Sequence, residues 1–384
     1  MKNSTRGAVA PFIVMDVMEA ARQAEGEGRH IIHMEVGQPS TAAPKKALQY
    51  LKDRMDSDAM GYTVALGLPA LRQKIAGLYA EWYDLDLNPA RVVITPGSSG
   101  AFILSFTSLF DAGARVGIGA PGYPSYRQIL RALDLLPVDI ETQPENRLQP
   151  VAEELVGQDL AGVLVASPAN PTGTMLNHAA LSSLIHATKD AGGAFISDEI
   201  YHGIEYQAKA VSALEITDDC YVINSFSKYF SMTGWRVGWM VVPEDHIRQV
   251  ERLAQNMFIC SPHVSQLAAL AAMDVHDELQ ENLKVYSKNR ALMIAGLPKV
   301  GFYKFAPPDG AFYVYVDVSD YTDDSLAFSK QILEEAGVAL TPGLDFDPAR
   351  GMGTLRLSYA RSTADIEEGL IRLEKFMRKH GFIS

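Results

Sequence analysis

From about residue 90 to residue 245, short β-branched runs alternate with stretches of helical spacing, and this alternation limits the possible folds more than any other feature. RVVIT (91–95), RVGIG (115–119), GVLVAS (162–167), GAFIS (193–197), YVINSF (221–226) and RVGWMVV (236–242) read as strands. Most are almost continuously apolar, so they need cover on both faces, as in a sheet sandwiched between helices. The stretches between them, such as AFILSFTSLFDAG (101–113) and NHAALSSLIHATKDAGG (177–193), have helical spacing and end at glycines able to act as C-caps. Strand–helix alternation of this kind predicts an α/β domain with a mostly parallel sheet.

After about residue 285 the texture changes. FYKFA (302–306) and AFYVYVDV (311–318) flank a turn at PPDG (307–310), followed by a helical stretch (325–336), TLRLSYA (354–360) and an amphipathic helix over roughly 363–380. That is an α+β pattern with antiparallel pairing. A chain of 384 residues also exceeds what one hydrophobic core usually supports. The expected division is a large domain over 43–284 and a smaller α+β domain over 285–384, with residues 1–42 packing alongside the latter.

The 46 acidic residues against 34 basic ones give a net charge of −12, which disfavours a nucleic-acid surface, because such a surface needs a positive stripe. Two cysteines, Cys220 and Cys260, form no close pair, so a reducing compartment is expected and not a disulfide framework. The first 28 residues hold only a short apolar patch soon interrupted by acidic residues, which does not read as a signal peptide. No apolar run approaches the roughly 20 residues that span a bilayer. A cytoplasmic setting is the expectation.

The densest chemical signal is SFSKYFSMTGWRVGW (225–239). Lys228 follows a strand, with Ser225 and Ser227 before it and Gly234, Arg236 and Gly238 after it. An amine so placed can condense with an aldehyde while hydroxyls and a guanidinium hold a phosphate dianion. A lone lysine in such a loop is more often a surface residue. SDEIY (197–201) puts Asp198 at the carboxyl end of a strand, where open α/β sheets bind ligands; alone, such an Asp is more often a helix N-cap. Tyr201 lies three residues on, where one helical turn would set it beside Asp198. SPANPTG (167–173) ends another strand, its prolines forbid a helix, and Asn170 projects there. TPGSSGAF (95–102) opens an apolar helix with Gly97, Ser98 and Ser99, whose free amides suit a phosphate. APGYPSY (120–126) supplies Tyr123, and TLRLSYA supplies Arg356, a fork for a carboxylate or simply a solvated strand residue. GIGAPG (117–122), with Asp139 beyond it, imitates a dinucleotide fingerprint, but Pro121, Gly122 and Pro124 interrupt the helix that fingerprint requires.

The 225–238 segment resembles the lysine-attachment signature of the class I/II aminotransferases, of fold type I among pyridoxal-phosphate enzymes. The other motifs fall in that family's order, from about Gly37 to Arg356. The resemblance implies a seven-stranded sheet, pyridoxal 5′-phosphate as cofactor and a Schiff base on Lys228. It makes Asp198 the partner of the pyridine nitrogen, and Asn170 and Tyr201 the partners of the phenolic oxygen. Gly97, Ser98, Ser99, Ser225 and Arg236 become the phosphate cup, Tyr123 the ring stacked on the pyridine, and Arg356 with the Gly37 backbone the site of the substrate α-carboxylate. Tyr62, in MGYTVALGLPALR (60–72), matches a residue that reaches the phosphate from a partner subunit, which implies a homodimer.

The expected reaction is transamination in two halves, with Lys228 as the proton carrier. Aspartate with 2-oxoglutarate is the first expectation for substrates. Against it, Ser99 stands where some aspartate-using members have a lysine that reaches the distal carboxylate. A β-eliminating C–S lyase and a non-catalytic aminotransferase-like regulator are the competing readings.

Overall fold

A computed structural model describes residues 1–384. Its first half contains α1 (Ile13–Gly26), β1 (Ile32–His33), α2 (Lys45–Met55), α3 (Pro69–Tyr83), β2 (Val92–Thr95), α4 (Gly97–Leu109), β3 (Arg115–Ala120), α5 (Pro124–Ala132), β4 (Leu136–Glu141) and β5 (Gly162–Ala166). There follow α6 (His178–Asp190), β6 (Ala194–Asp198), β7 (Tyr221–Ser225), β8 (Gly238–Val241), α7 (Ile247–Met257), α8 (His263–Ala272) and α9 (His276–Val300). The chain closes with β9 (Lys304–Phe305), β10 (Tyr313–Asp317), α10 (Ser325–Ala336), β11 (Val338–Ala339), β12 (Thr341–Pro342), β13 (Thr354–Ser358) and α11 (Thr363–Lys379).

Seven strands form one sheet in the order β2-β8-β7-β6-β5-β3-β4. All neighbours are parallel except β8, which runs antiparallel to both β2 and β7. The alternating region therefore makes the mostly parallel, helix-covered sheet its pattern predicts. Side chains alternate between two cores: Val163, Phe195, Val222 and Trp239 face one way, and Leu164, Ile196, Ile223 and Met240 face the other. α4 lies on the second face, packed against β7, β8, α5 and α7. A helix covered on so many sides has no polar stripe to keep, which is why AFILSF is apolar almost throughout.

Three boundaries differ from the sequence reading. β4 escaped it, because Pro137 and Asp139 break the apolar run; both are tolerated on an edge strand with partly exposed faces. α4 starts at Gly97 and stops at Leu109, four residues short of Gly113, which has φ +82° in the turn that follows. The run RVGWMVV is a strand only from Gly238, because Arg236 adopts a left-handed conformation with φ +51°.

The C-terminal strands form an antiparallel sheet, β12-β13-β10-β9. PPDG is not the tight hairpin the sequence suggested. Phe305 pairs with Val316, three residues into β10, so residues 306–312 form an excursion between β9 and β10. At its tip, the Asp309 and Gly310 amides donate to the Gly173 carbonyl at 2.8 and 2.9 Å. The excursion thus docks beside the loop that carries Asn170. β1 pairs in parallel with β11, and α1 lies against β11 and β12. Val314, Val316, Leu355 and Leu357 belong to the same core as Phe195 and Trp239, so the two sheets share one apolar body. α10 and α11 start at side-chain caps: Asp324 accepts from the Leu326 and Ala327 amides at 3.1 and 2.9 Å, and Ser362 from Asp365 at 3.1 Å.

β1 carries a paired histidine. His33 lies 2.8 Å from the buried Glu35 carboxylate and 3.0 Å from Glu25. The hydrogen bond to Glu35, helped by Glu25, raises the imidazole above its ordinary 6.5 against the opposing effect of burial. A raised histidine pKa stabilises the fold fully below the unfolded value, and that contribution is lost as pH rises through the folded one. In urea unfolding, wild type should therefore exceed His33→Asn at mildly acidic pH, and the gap should narrow on going to alkaline pH. A gap that widens with pH would reverse the assigned sign.

Candidate active site

One edge of the large sheet gathers the chemistry. Ala166 pairs with Asp198, Ser225 with Gly238, and Gly238 with Thr95, so the carboxyl ends of β5, β6, β7 and β2 lie level with the start of β8. Segments leaving this edge carry Asn170, Asp198, Lys228 and Arg236, together with the start of α4. The face of the antiparallel sheet that bears Tyr313 and Arg356 lies opposite. Between them is a cavity of about 260 Å³. Gly37, Ser98, Ser99, Tyr123, Asn170, Asp198, Tyr201, Lys228, Arg236 and Arg356 all line it. Of the other residues singled out in the sequence, Gly97 and Ser225 support the wall from behind, and Tyr62 lies outside it, 83% exposed on the surface.

Lys228 Nζ donates to the Gly37 carbonyl at 2.6 Å and lies 5.7 Å from the centre of the Tyr201 ring. Burial first, then the Arg356 and Arg236 guanidiniums, lower its pKa to about 7, against the opposing pull of Asp198. An amine so placed exists in substantial part as a neutral nucleophile at physiological pH. Asp198, at the end of β6, accepts from the Tyr126 hydroxyl and from the Ile200 amide at 3.1 Å. Burial lifts its carboxyl to about 6, a rise restrained by those two donors and by Lys228. Tyr201 reaches the same wall through overlapping turns after β6, in place of the helical turn the spacing suggested.

Arg356 is held on every side but one. Its guanidinium carbon lies 4.5 Å from the Tyr313 ring centre and 4.7 Å from that of Phe346. Each such contact is worth roughly 0.5–2 kcal/mol. Nη1 donates to Asn170 Oδ1 at 2.9 Å, and Nη2 donates to the Glu35 carbonyl and, at 3.2 Å, to Thr341 Oγ1. Nε is buried with no partner. An unpaired buried donor on a fixed planar cation is a receptor for an anion, and a carboxylate matches its geometry.

A second anion site lies at the start of α4. Gly97 has φ +71°, and a Cβ there would overlap the Arg236 guanidinium, so only glycine lets the helix start approach that cation. Arg236 is steadied by donating from Nη1 to the Thr233 carbonyl at 2.9 Å. Ser98 and Ser99 open the helix, where amides have no partner within the helix. Ser225 Oγ bonds Ser227 Oγ at 2.8 Å and donates to the Val237 carbonyl at 3.1 Å, which ties the Lys228 loop to the Arg236 loop. Tyr123 stands at the cap of α5, in edge contact with Phe12 and Tyr126. The donor set fits a flat molecule with a phosphate at one end and a reactive carbonyl near Lys228.

Several lining residues were not singled out from the sequence: Phe12, Val14, Met15, Met18, Val36, Tyr126, Thr233 and Tyr313. Tyr126 had a weak signal, as the second tyrosine of APGYPSY. Tyr313 had none, since AFYVYVDV reads as an ordinary buried strand. The apolar group from α1 becomes visible only when α1 is folded over the cavity mouth.

The profile of the family described as aminotransferase class I and II matches residues 29–373. Valine–pyruvate aminotransferase from Mycobacterium tuberculosis is 44% identical over 378 residues, covering 97% of both chains. The crystal structure of an aminotransferase from the same organism is 43% identical with a TM-score of 0.96, over 99% of this chain and 100% of that one. A Silicibacter pomeroyi protein, provisionally described as an aminotransferase, is 71% identical with a TM-score of 0.95, over 99% of this chain and 100% of that one. No helix is long and apolar enough to cross a membrane. The match over most of the length, on a fold shared with solved aminotransferases, makes this chain a member of the class I and II aminotransferase family, a transferase with pyridoxal 5′-phosphate as its cofactor.

Proposed function

We propose that the protein moves the amino group of neutral, aliphatic α-amino acids to a small 2-oxo acid, with Lys228 carrying the cofactor and shuttling the proton. The observation that carries the reading is the Lys228 amine, held by Gly37 and brought to about 7 by burial and two guanidiniums. Pyridoxal 5′-phosphate, when bound, supplies an aldehyde that condenses with amines and a ring that draws electrons from the α-carbon.

The chain's own residues do the rest. Arg356 lines the cavity and binds the α-carboxylate through its guanidinium, whose plane Asn170 helps to fix. With the cofactor bound, Lys228 Nζ would take the proton that leaves the donor's α-carbon and pass it to the cofactor's former carbonyl carbon, the reverse transfer serving the incoming 2-oxo acid; a pKa near the working pH suits both directions. Asp198 holds a proton on the pyridine nitrogen, Tyr201 and Asn170 serve the phenolic oxygen, and Tyr123 stacks on the ring. Arg236, Ser98, Ser99, Ser225 and the Gly97 turn hold the phosphate. A second copy of the chain completes the site by bringing its own Tyr62 to that phosphate, which accounts for an exposed tyrosine beside the exposed Val64. The free thiols of Cys220 and Cys260 fit a cytoplasmic enzyme.

Substrate choice follows from the charge inventory. Lys228, Arg236 and Arg356 are the cationic side chains of the cavity lining, and each already has a task. The rest of the lining includes the apolar Phe12, Val14, Met15, Met18 and Val36. A second carboxylate on the substrate would be desolvated there without a partner, at a cost of several kcal/mol. Neutral donors are therefore favoured over the aspartate first expected, and the relative whose name specifies valine and pyruvate supports that choice.

Lys228→Ala should lower turnover by roughly 10³-fold or more. Borohydride reduction of the holoenzyme should place the cofactor's mass on the peptide containing Lys228; label on another lysine would sink the reading. In a donor panel, valine and alanine should exceed aspartate and glutamate in kcat/KM by on the order of 100-fold. Aspartate as the best donor would overturn the substrate assignment. With an amino acid alone the enzyme should stop after one equivalent, whereas continuous release of pyruvate would identify a lyase.

A further inference from the structure

Tyr313 has no part in the scheme above, yet three parts of the site meet on it. Its hydroxyl lies 2.7 Å from that of Tyr201, its ring supports the Arg356 guanidinium at 4.5 Å, and a Cβ at Gly37 would overlap its hydroxyl. Strand register explains the arrangement. Tyr315 is directly opposite Arg356 across β10 and β13, so Tyr313, two residues away on the same face, is the diagonal neighbour of Arg356. β10 enters immediately after the long excursion docked on Gly173, which fixes where that face starts.

The two phenols share one hydrogen bond and hold two protons. Burial raises the pKa of both, so both remain protonated at neutral pH. If Tyr201 donated to Tyr313, it would have no proton left for a ligand. If Tyr313 donates to Tyr201, the Tyr201 proton is free to point into the cavity. Of the two phenols, Tyr201 is the one whose ring lies beside the Lys228 amine, so a ligand bound there is served when Tyr313 is the donor within the pair.

We propose that Tyr313 is a positioning residue: its hydroxyl donates to Tyr201 and turns the Tyr201 proton toward the cofactor's phenolic oxygen, while its ring sets Arg356 for the substrate carboxylate. One side chain would then couple the orientation of the cofactor's partner to that of the substrate's. This rests on the cofactor site proposed above.

Two variants of the holoenzyme separate the two roles. Tyr313→Phe keeps the ring and removes the hydroxyl. The pH midpoint of the bound cofactor's visible absorbance should move upward by about half to one pH unit, because a less oriented Tyr201 stabilises the phenolate less. KM for the amino donor should stay within about twofold. Tyr313→Leu should show the same spectral shift and also raise KM about tenfold, through loss of the ring face under Arg356. An unchanged midpoint in Tyr313→Phe, or a KM raised equally in both variants, would overturn the proposal. Wild-type protein with no visible cofactor band would overturn the parent reading and this one with it, whereas a normal band with an unmoved midpoint removes this one alone.

Discussion

Three cationic side chains, Lys228, Arg236 and Arg356, line one cavity with a single carboxylate, Asp198. Burial and the two guanidiniums lower the Lys228 amine to about 7, so that it carries only part of its charge at neutral pH. The positive balance that remains is one that two anionic groups of a ligand would complete. In the proposed reaction, binding and reactivity thus arise from the same electrostatic constraint: the charges that suit the cavity to anions also fit Lys228 to act as nucleophile and base.

Holding these charges in place is the task of the fold. The large sheet delivers Asp198, Lys228 and Arg236 from neighbouring strand ends, with β8 reversed so that its first residues lie level with the last residues of β7 and β2. The antiparallel sheet delivers Arg356 from the opposite side. Among the contacts that set the gap between them are backbone ones: the Gly173 carbonyl receiving Asp309 and Gly310, and the Gly122 amide donating to the Phe346 carbonyl at 3.1 Å. These bonds do not depend on side-chain identity, so they keep the two walls in register while the lining residues vary.

Much of this could be read in the sequence, and what could not has a common cause. Continuous apolar runs disclosed the buried strands, and the Lys228 segment pointed to the cavity that Lys228 and Arg236 line, because its serines, glycines and arginine cluster so densely. β4 went unread because an edge strand does not need an apolar run. The path around PPDG was misjudged because a proline-rich turn looks the same whether it closes a tight hairpin or sits in a seven-residue excursion. Arg236 was placed on a strand because nothing local marks a left-handed residue that is not glycine. Tyr313, Met15 and Met18 were invisible because their place in the cavity depends on cross-strand register and helix packing, which are long-range properties. Cavity residues carried by dense local motifs were legible, and those brought to the cavity by long-range packing were not.

The supporting set also explains how one cavity can read both ends of a substrate. Phe346 packs on Arg356, while its neighbour Asp345 accepts from the Ile13 and Val14 amides at 3.1 and 3.2 Å at the start of α1. A carboxylate there is well placed to complement the partial positive charge of a helix N-terminus. Two adjacent residues of one short segment therefore anchor the carboxylate receptor on one side and the apolar wall of Phe12, Met15 and Met18 on the other. In the proposed reading, the group that would hold the α-carboxylate and the surface that would meet the side chain are thus linked through one backbone step. Charge selectivity would lie in what that wall lacks: an apolar surface of Phe12, Val14, Met15, Met18 and Val36 offers a second carboxylate nothing in exchange for its water.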